Sequence, residues 1–183
     1  MKYGMHAAQS QASPSSPAGA DGWVTDYPAL IAELRSLLAG ERDWLANLAN
    51  TAALLYGRLP GLNWAGFYLW REGQLVLGPF QGKPACVRIS PGRGVCGAAA
   101  ARRQAVVVPD VHQFPGHIAC DTASASEIVL PLEQAGRQFG VLDLDSPYRG
   151  RFTEADAAGL ADAVRLLLEA TDWPGFFGVE VGG

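Results

Sequence analysis

What the chain lacks narrows it first. No apolar run reaches the roughly 18 residues a membrane span needs. The opening segment, "MKYGMHAAQSQASPSSPAGADG", has no apolar stretch of the secretory kind. Charge is sparse and mixed: 14 basic and 18 acidic residues give a net charge of −4, with no long run of either sign. A nucleic-acid surface would need a basic patch. Cysteine is scarce too. There are three, Cys86, Cys96 and Cys120, with no CxxC pair. That is a poor disulfide scaffold and a poor structural zinc site. The expectation is a soluble cytoplasmic protein with no membrane, nucleic-acid or metal partner. Its thiols are then free or redox-active.

What is present is a domain-sized apolar complement, 49% of 183 residues, enough for one core. Residues 1–22, rich in Ala, Ser, Pro, Gln and Gly, are expected to be a disordered extension. Residues 23–172 read as one domain without internal repeats, and residues 173–183 as a short aromatic tail. Asp26 precedes a helix whose apolar residues Leu30, Ile31, Leu34, Leu37 and Leu38 recur at helical spacing, and Gly40 is a natural stop. A second helix spans about 41–56. The period then shortens. "LNWAGFYLW" and "QLVLGPF" form a hairpin around "REG", and "ACVRI" is a third strand. "PGRGVCGAAAARRQ" is a glycine-rich loop entering a helix; it lacks the Lys-Ser/Thr of a phosphate loop. After the strand "AVVV", residues 109–126 form a long loop, and such loops are usually functional or disordered. Two more strands and a helix opened by a Thr153/Asp156 capping box complete the chain. Hairpins outnumber strand–helix alternations, so an α+β fold is expected: an antiparallel central sheet packed by helices.

The last strand pair places chemistry. A three-residue loop, Gln134–Gly136, would pair Glu133 with Arg137 and set Glu127 opposite Asp143. Strand parity keeps Asp145 on that face with Val129 and Val141, while Ile128, Leu130, Leu132, Leu142 and Leu144 face a core. Carboxyls this close repel, so at least one holds its proton through a raised pKa. The plain alternative is a solvated face; the valines among the acids favour a partly covered pocket. In "LNWAGFYLW", Trp64 and Tyr68 flank Gly66 and could wall a ligand slot, although plain core aromatics are the commoner case. Cys86 in an apolar strand and Cys96 at a helix start fit as buried small residues, or, for Cys96, as a thiol activated by the helix N-terminus. Cys120, in a long polar loop beside Asp121, fits such packing worst. His112 and His117 read best as surface histidines.

Taken together, "NWAGFYLW", "LGPFQGKPACVRI", "GRGVCG", "VPDVHQFPGHIACD", "SEIVLPL" and "GVLDLDSP" resemble the free methionine-(R)-sulfoxide reductases, enzymes built on the GAF fold. The resemblance runs from about residue 27 to 170. It implies a GAF-like single domain in which Cys120 attacks the sulfoxide sulfur. Glu127, Asp143 and Asp145 would protonate or hydrogen-bond the oxygen and hold the substrate ammonium. Trp64 and Tyr68 would wall the pocket. It further implies Cys86 as resolving thiol, with Cys96 able to substitute, thioredoxin as electron donor, no cofactor, and a homodimer. The competing expectation is a non-catalytic GAF ligand or redox sensor. Such a sensor usually sits beside an effector domain, for which this chain has no room.

Overall fold

The computed structural model describes residues 23–116 and 122–180. The expected disordered extension, 1–22, lies outside the described residues, as does Cys120. Helices α1 (Tyr27–Leu37) and α2 (Trp44–Arg58) lead into β1 (Trp64–Arg71), β2 (Gln74–Gly82) and β3 (Arg88–Ile89). Helix α3 (Gly94–Arg102), strands β4 (Val106–Val108), β5 (Ser126–Gln134) and β6 (Arg137–Ser146), helix α4 (Glu154–Ala170) and β7 (Val179–Glu180) follow. The strands form one antiparallel sheet in the order β3-β2-β1-β6-β5-β4, with β7 on β6. This is the expected α+β architecture.

Helices α1, α2 and α4 begin where a short polar side chain satisfies one of their first free N–H groups, whereas α3, preceded by Arg93, has no side-chain cap. Asp26 accepts from the backbone of Ala29, and Asp43 from that of Ala46. Thr153 and Asp156 form the expected reciprocal capping box. One sheet face packs Ala65, Phe67, Leu69, Ile128, Leu130 and Leu144 against α1, α2 and α4. The other carries Trp64, Tyr68, Val129 and Val141 and is covered by α3. Helix α3 is mostly alanine and glycine, which lets it lie close. Gly97 also lets the helix close on the turn that precedes it, since a Cβ there would stand 2.7 Å from the Ser90 carbonyl oxygen.

The β5–β6 hairpin departs from the expected register in two places. Its loop has two residues, because Gln134 pairs with Arg137. Ala135 and Gly136, at φ 51° and 75°, make the primed turn that suits strand twist. A bulge then adds Phe139, so that Glu133 pairs with Gln138 but Leu132 with Gly140. Each departure shifts the pairing by one residue. Together they shift it by two, so Glu127 stands opposite Asp145, not Asp143, and Asp143 opposite Val129. The expected partner is wrong, and the expected face is right, because a two-residue shift preserves parity.

The 173–183 stretch is more than a loose end where it is described. Phe177 is buried beside Trp44, Trp173 stacks on Phe139, and β7 extends the sheet along β6.

Candidate active site

The α3-covered face brings Glu127 and Asp143 into the interior, at 6% and 5% exposure, while Asp145 is half-buried. A one-sided solvated sheet is thereby excluded. Cys96, three residues into α3, points down at them. Its Sγ lies 3.9 Å from Glu127 Oε1, and the thiol with one oxygen each from Glu127 and Asp143 fall within 4.8 Å of one another.

Burial dominates the electrostatics here. It pushes Asp143 up to about 7. It also pushes Glu127 well above the usual carboxylate range, reinforced by the charges of Asp143 and Asp145. At neutral pH the cluster therefore keeps protons that free carboxyls would have lost. The Cys96 thiol is raised well above its ordinary value, first by burial and then by Asp143 and Glu127. This runs against activation of Cys96 by the helix N-terminus, since burial and the neighbouring acids disfavour its thiolate. Tyr68 is raised by burial and by Asp143.

The aromatic strand does something other than leave a slot. The Trp64 and Tyr68 rings stack at 5.9 Å and 24°, and Phe80 stacks on Trp64 at 5.3 Å. Gly66 is needed because the Trp64 ring and Phe80 occupy the space above it. The three rings form one wall beside the acids. Their polar tips hold the strip that carries Cys86: Trp64 Nε1 donates to the Lys83 carbonyl at 3.1 Å, and the Tyr68 hydroxyl to the Cys86 carbonyl at 3.0 Å. Cys86 itself is half-buried and disulfide-bonded, whereas Cys96 is a buried free thiol.

The long loop is tethered at both ends. Val111 N–H donates to the Ala125 carbonyl, Ala125 N–H to that of Ser146, and Asn63 Nδ2 to Ser124 Oγ. Asp110 pairs with Arg149 at 3.3 Å. The tethers fix the described ends of the loop against the end of β6, which carries Asp145 and Ser146. His112 sits within a short 3₁₀ turn (Val111–Gln113), donates its backbone N–H to the capping carboxylate of Asp110 and is exposed, as expected of a surface histidine; His117 lies outside the described residues. Sequence reasoning missed the meeting of Cys96 with the acids and the part played by Phe80. The clue to the first was the run of small residues around Cys96, which permits close helix-to-sheet approach.

Residues 30–170 match the GAF domain family model, which defines the class. Over 159 residues the chain is 56% identical to the free methionine-R-sulfoxide reductase of Escherichia coli, covering 85% of this chain and 96% of that one. The free methionine-R-sulfoxide reductase of Neisseria meningitidis, in complex with its substrate, superposes with a TM-score of 0.76 at 49% identity, covering 79% of this chain and 87% of that one. The fRMsr of Staphylococcus aureus, also with substrate, superposes at 0.77 and 46% identity, covering 80% and 96%. This chain belongs to the free methionine-R-sulfoxide reductase family of GAF-domain proteins.

Proposed function

We propose that this chain reduces free methionine-(R)-sulfoxide to methionine. The observation that carries the reading is the pair of buried carboxyls, Glu127 and Asp143, beside the ring wall that holds a disulfide-bonded Cys86; burial raises both carboxyls toward their protonated form. The sulfoxide oxygen is a poor leaving group and must be protonated as the sulfur is attacked. Carboxyls that stay protonated near neutral pH supply that proton. Half-exposed Asp145 and ionised members of the cluster would hold the substrate ammonium. The ring wall of Trp64, Tyr68 and Phe80 would receive the methyl and sulfur end.

The thiolate of Cys120 attacks the sulfoxide sulfur, the oxygen passes to Cys120, and methionine leaves. Cys120 is then a sulfenic acid. A resolving thiol displaces its hydroxyl as water and forms a disulfide. Cys86 is assigned this role over Cys96, a choice supported by the disulfide at Cys86 and by the buried, free and electrostatically disfavoured thiol of Cys96. A dithiol reductant of the thioredoxin type returns both cysteines to thiols by exchange and is itself oxidised. The scheme needs no cofactor and suits the reducing cytoplasm, with the chain acting as a homodimer. Among the described residues no helix is long and apolar enough to cross a membrane.

The test is NADPH oxidation coupled through thioredoxin and thioredoxin reductase. Free R-sulfoxide, its S epimer and a peptide-bound sulfoxide are compared for the wild type and Cys120→Ser. Turnover of the free R form alone, lost in the variant, is expected. Absence of turnover on that form rejects the reading.

A further inference from the structure

We propose that Cys96, Glu127 and Asp143 form a binding site for a thiophilic divalent cation, zinc above all, which competes with substrate for the acidic face. The three donors come from three separate elements, α3, β5 and β6. That is why no ligand spacing marks the site in the sequence.

Geometry is the first argument. Zinc binds thiolate sulfur at about 2.3 Å and carboxylate oxygen at about 2.0–2.2 Å, so two such donors at a tetrahedral angle stand roughly 3.5–3.7 Å apart. Cys96 Sγ and Glu127 Oε1 stand 3.9 Å apart, and the Asp143 oxygen lies within 4.8 Å of both. Side-chain adjustments of about 1 Å or less would close the set to the spacing expected from those bond lengths. The second argument is an orphan. Asp143 Oδ1 is buried and has no hydrogen-bond partner, although buried polar atoms nearly always have one. An acceptor with spare lone pairs, next to another carboxyl and a thiol, asks for a cation. The third is donor type. Carboxylate oxygens alone would suit magnesium or calcium, whereas a thiol among them selects a softer ion. Half-exposed Asp145, on the same face and opposite Glu127, offers a way in and a fourth ligand.

Binding is not a redox step. The ion displaces protons from the thiol and the carboxyls to solvent and forms metal–sulfur and metal–oxygen bonds. It would fill the place where the substrate ammonium and sulfoxide oxygen are held, so it would act as a reversible brake on the reductase.

The test uses full-length Cys86→Ser/Cys120→Ser protein, in which Cys96 is the sole thiol. Its result does not depend on turnover or on which cysteines pair. Titration with Cd²⁺ is followed by ultraviolet thiolate-to-metal absorption, and zinc affinity by competition. One ion per chain with a single-thiolate band is expected. The band should vanish on adding Cys96→Ser. Glu127→Gln or Asp143→Asn should weaken zinc by at least about 10-fold, the lower end of what even an outer-shell loss costs. As a measurement free of variants, zinc should slow alkylation of Cys96 in the oxidised wild type, read by mass spectrometry. No band, a band that survives Cys96→Ser, or unchanged alkylation overturns the proposal.

Discussion

Asp143 shows how one residue ties stability to chemistry. Its folded-state pKa of about 7 lies above its ordinary value near 3.9. The folded state therefore holds the proton more tightly than the unfolded chain. Stability from this group is complete below about pH 4 and is lost as pH rises through 7. Glu127 acts with the same sign. Urea unfolding at pH 5 and pH 8 should show the wild type less stable at the higher pH. In Asp143→Asn that gap should shrink by at least about 1 kcal/mol, the worth of roughly one pKa unit. Turnover should carry the same signature. If the cluster delivers the proton, kcat with the R-sulfoxide falls as pH rises above 7. Asp143→Asn then loses on the order of 100-fold or more, the usual contribution of a general acid. A flat profile from pH 6 to 9 would rule out proton delivery by this pair. At this scale the sequence was informative about identity and face: hairpin counting with strand parity put the three acids together, and its error in register, being two residues, kept the face. It was silent on the meeting of Cys96 with the acids, because contact between a helix and a sheet depends on how they dock in three dimensions.

At the scale of elements, helix starts and strands were legible because their signals are local: Asp26 and Thr153 each act on the next three residues. The hairpin register was not. "QAG" admits a two- or three-residue loop, and the bulge at Phe139 answers to packing that distant residues impose. Gln138, for instance, is pinned by Trp70 Nε1 at 2.6 Å and donates to the Ala100 carbonyl at 3.1 Å. The turn carries a correctable cost. Ala135 sits at φ 51°, where a Cβ costs about 1–2 kcal/mol and glycine or asparagine fits better. Ala135→Gly or Ala135→Asn should raise the urea midpoint, by on the order of 1 kcal/mol in stability, with turnover unchanged. A variant less stable than the wild type would show that the turn is held by something other than its own dihedral angles.

For the molecule as a whole, the chain was readable as an antiparallel α+β domain from the balance of hairpins to crossovers. The last dozen residues were not, because "DWPGFFGVEV" has neither a helical nor a strand period. Its role is set by what it covers. Trp173 stacks on Phe139 at 4.5 Å, and Phe177 meets Trp44 at 4.7 Å. Residues 173–180 thus seal the core side against α2 and β6. Phe177→Ala should cost about 3–5 kcal/mol, as buried aromatic truncations do, measured by thermal or urea unfolding. A loss under about 1 kcal/mol, the range of surface changes, would mean that the segment is peripheral.

The paired irregularities of the β5–β6 hairpin also bear on how such a sequence can change over time. Losing either the short turn or the extra Phe139 alone would rotate one strand by half a period, putting Glu127 among leucines and Ile128 among carboxyls. Insertions and deletions between these strands should therefore survive only in even numbers, or in compensating pairs. A library of one- and two-residue indels across 133–140, selected for folding, would expose that arithmetic as an alternation in fitness with length.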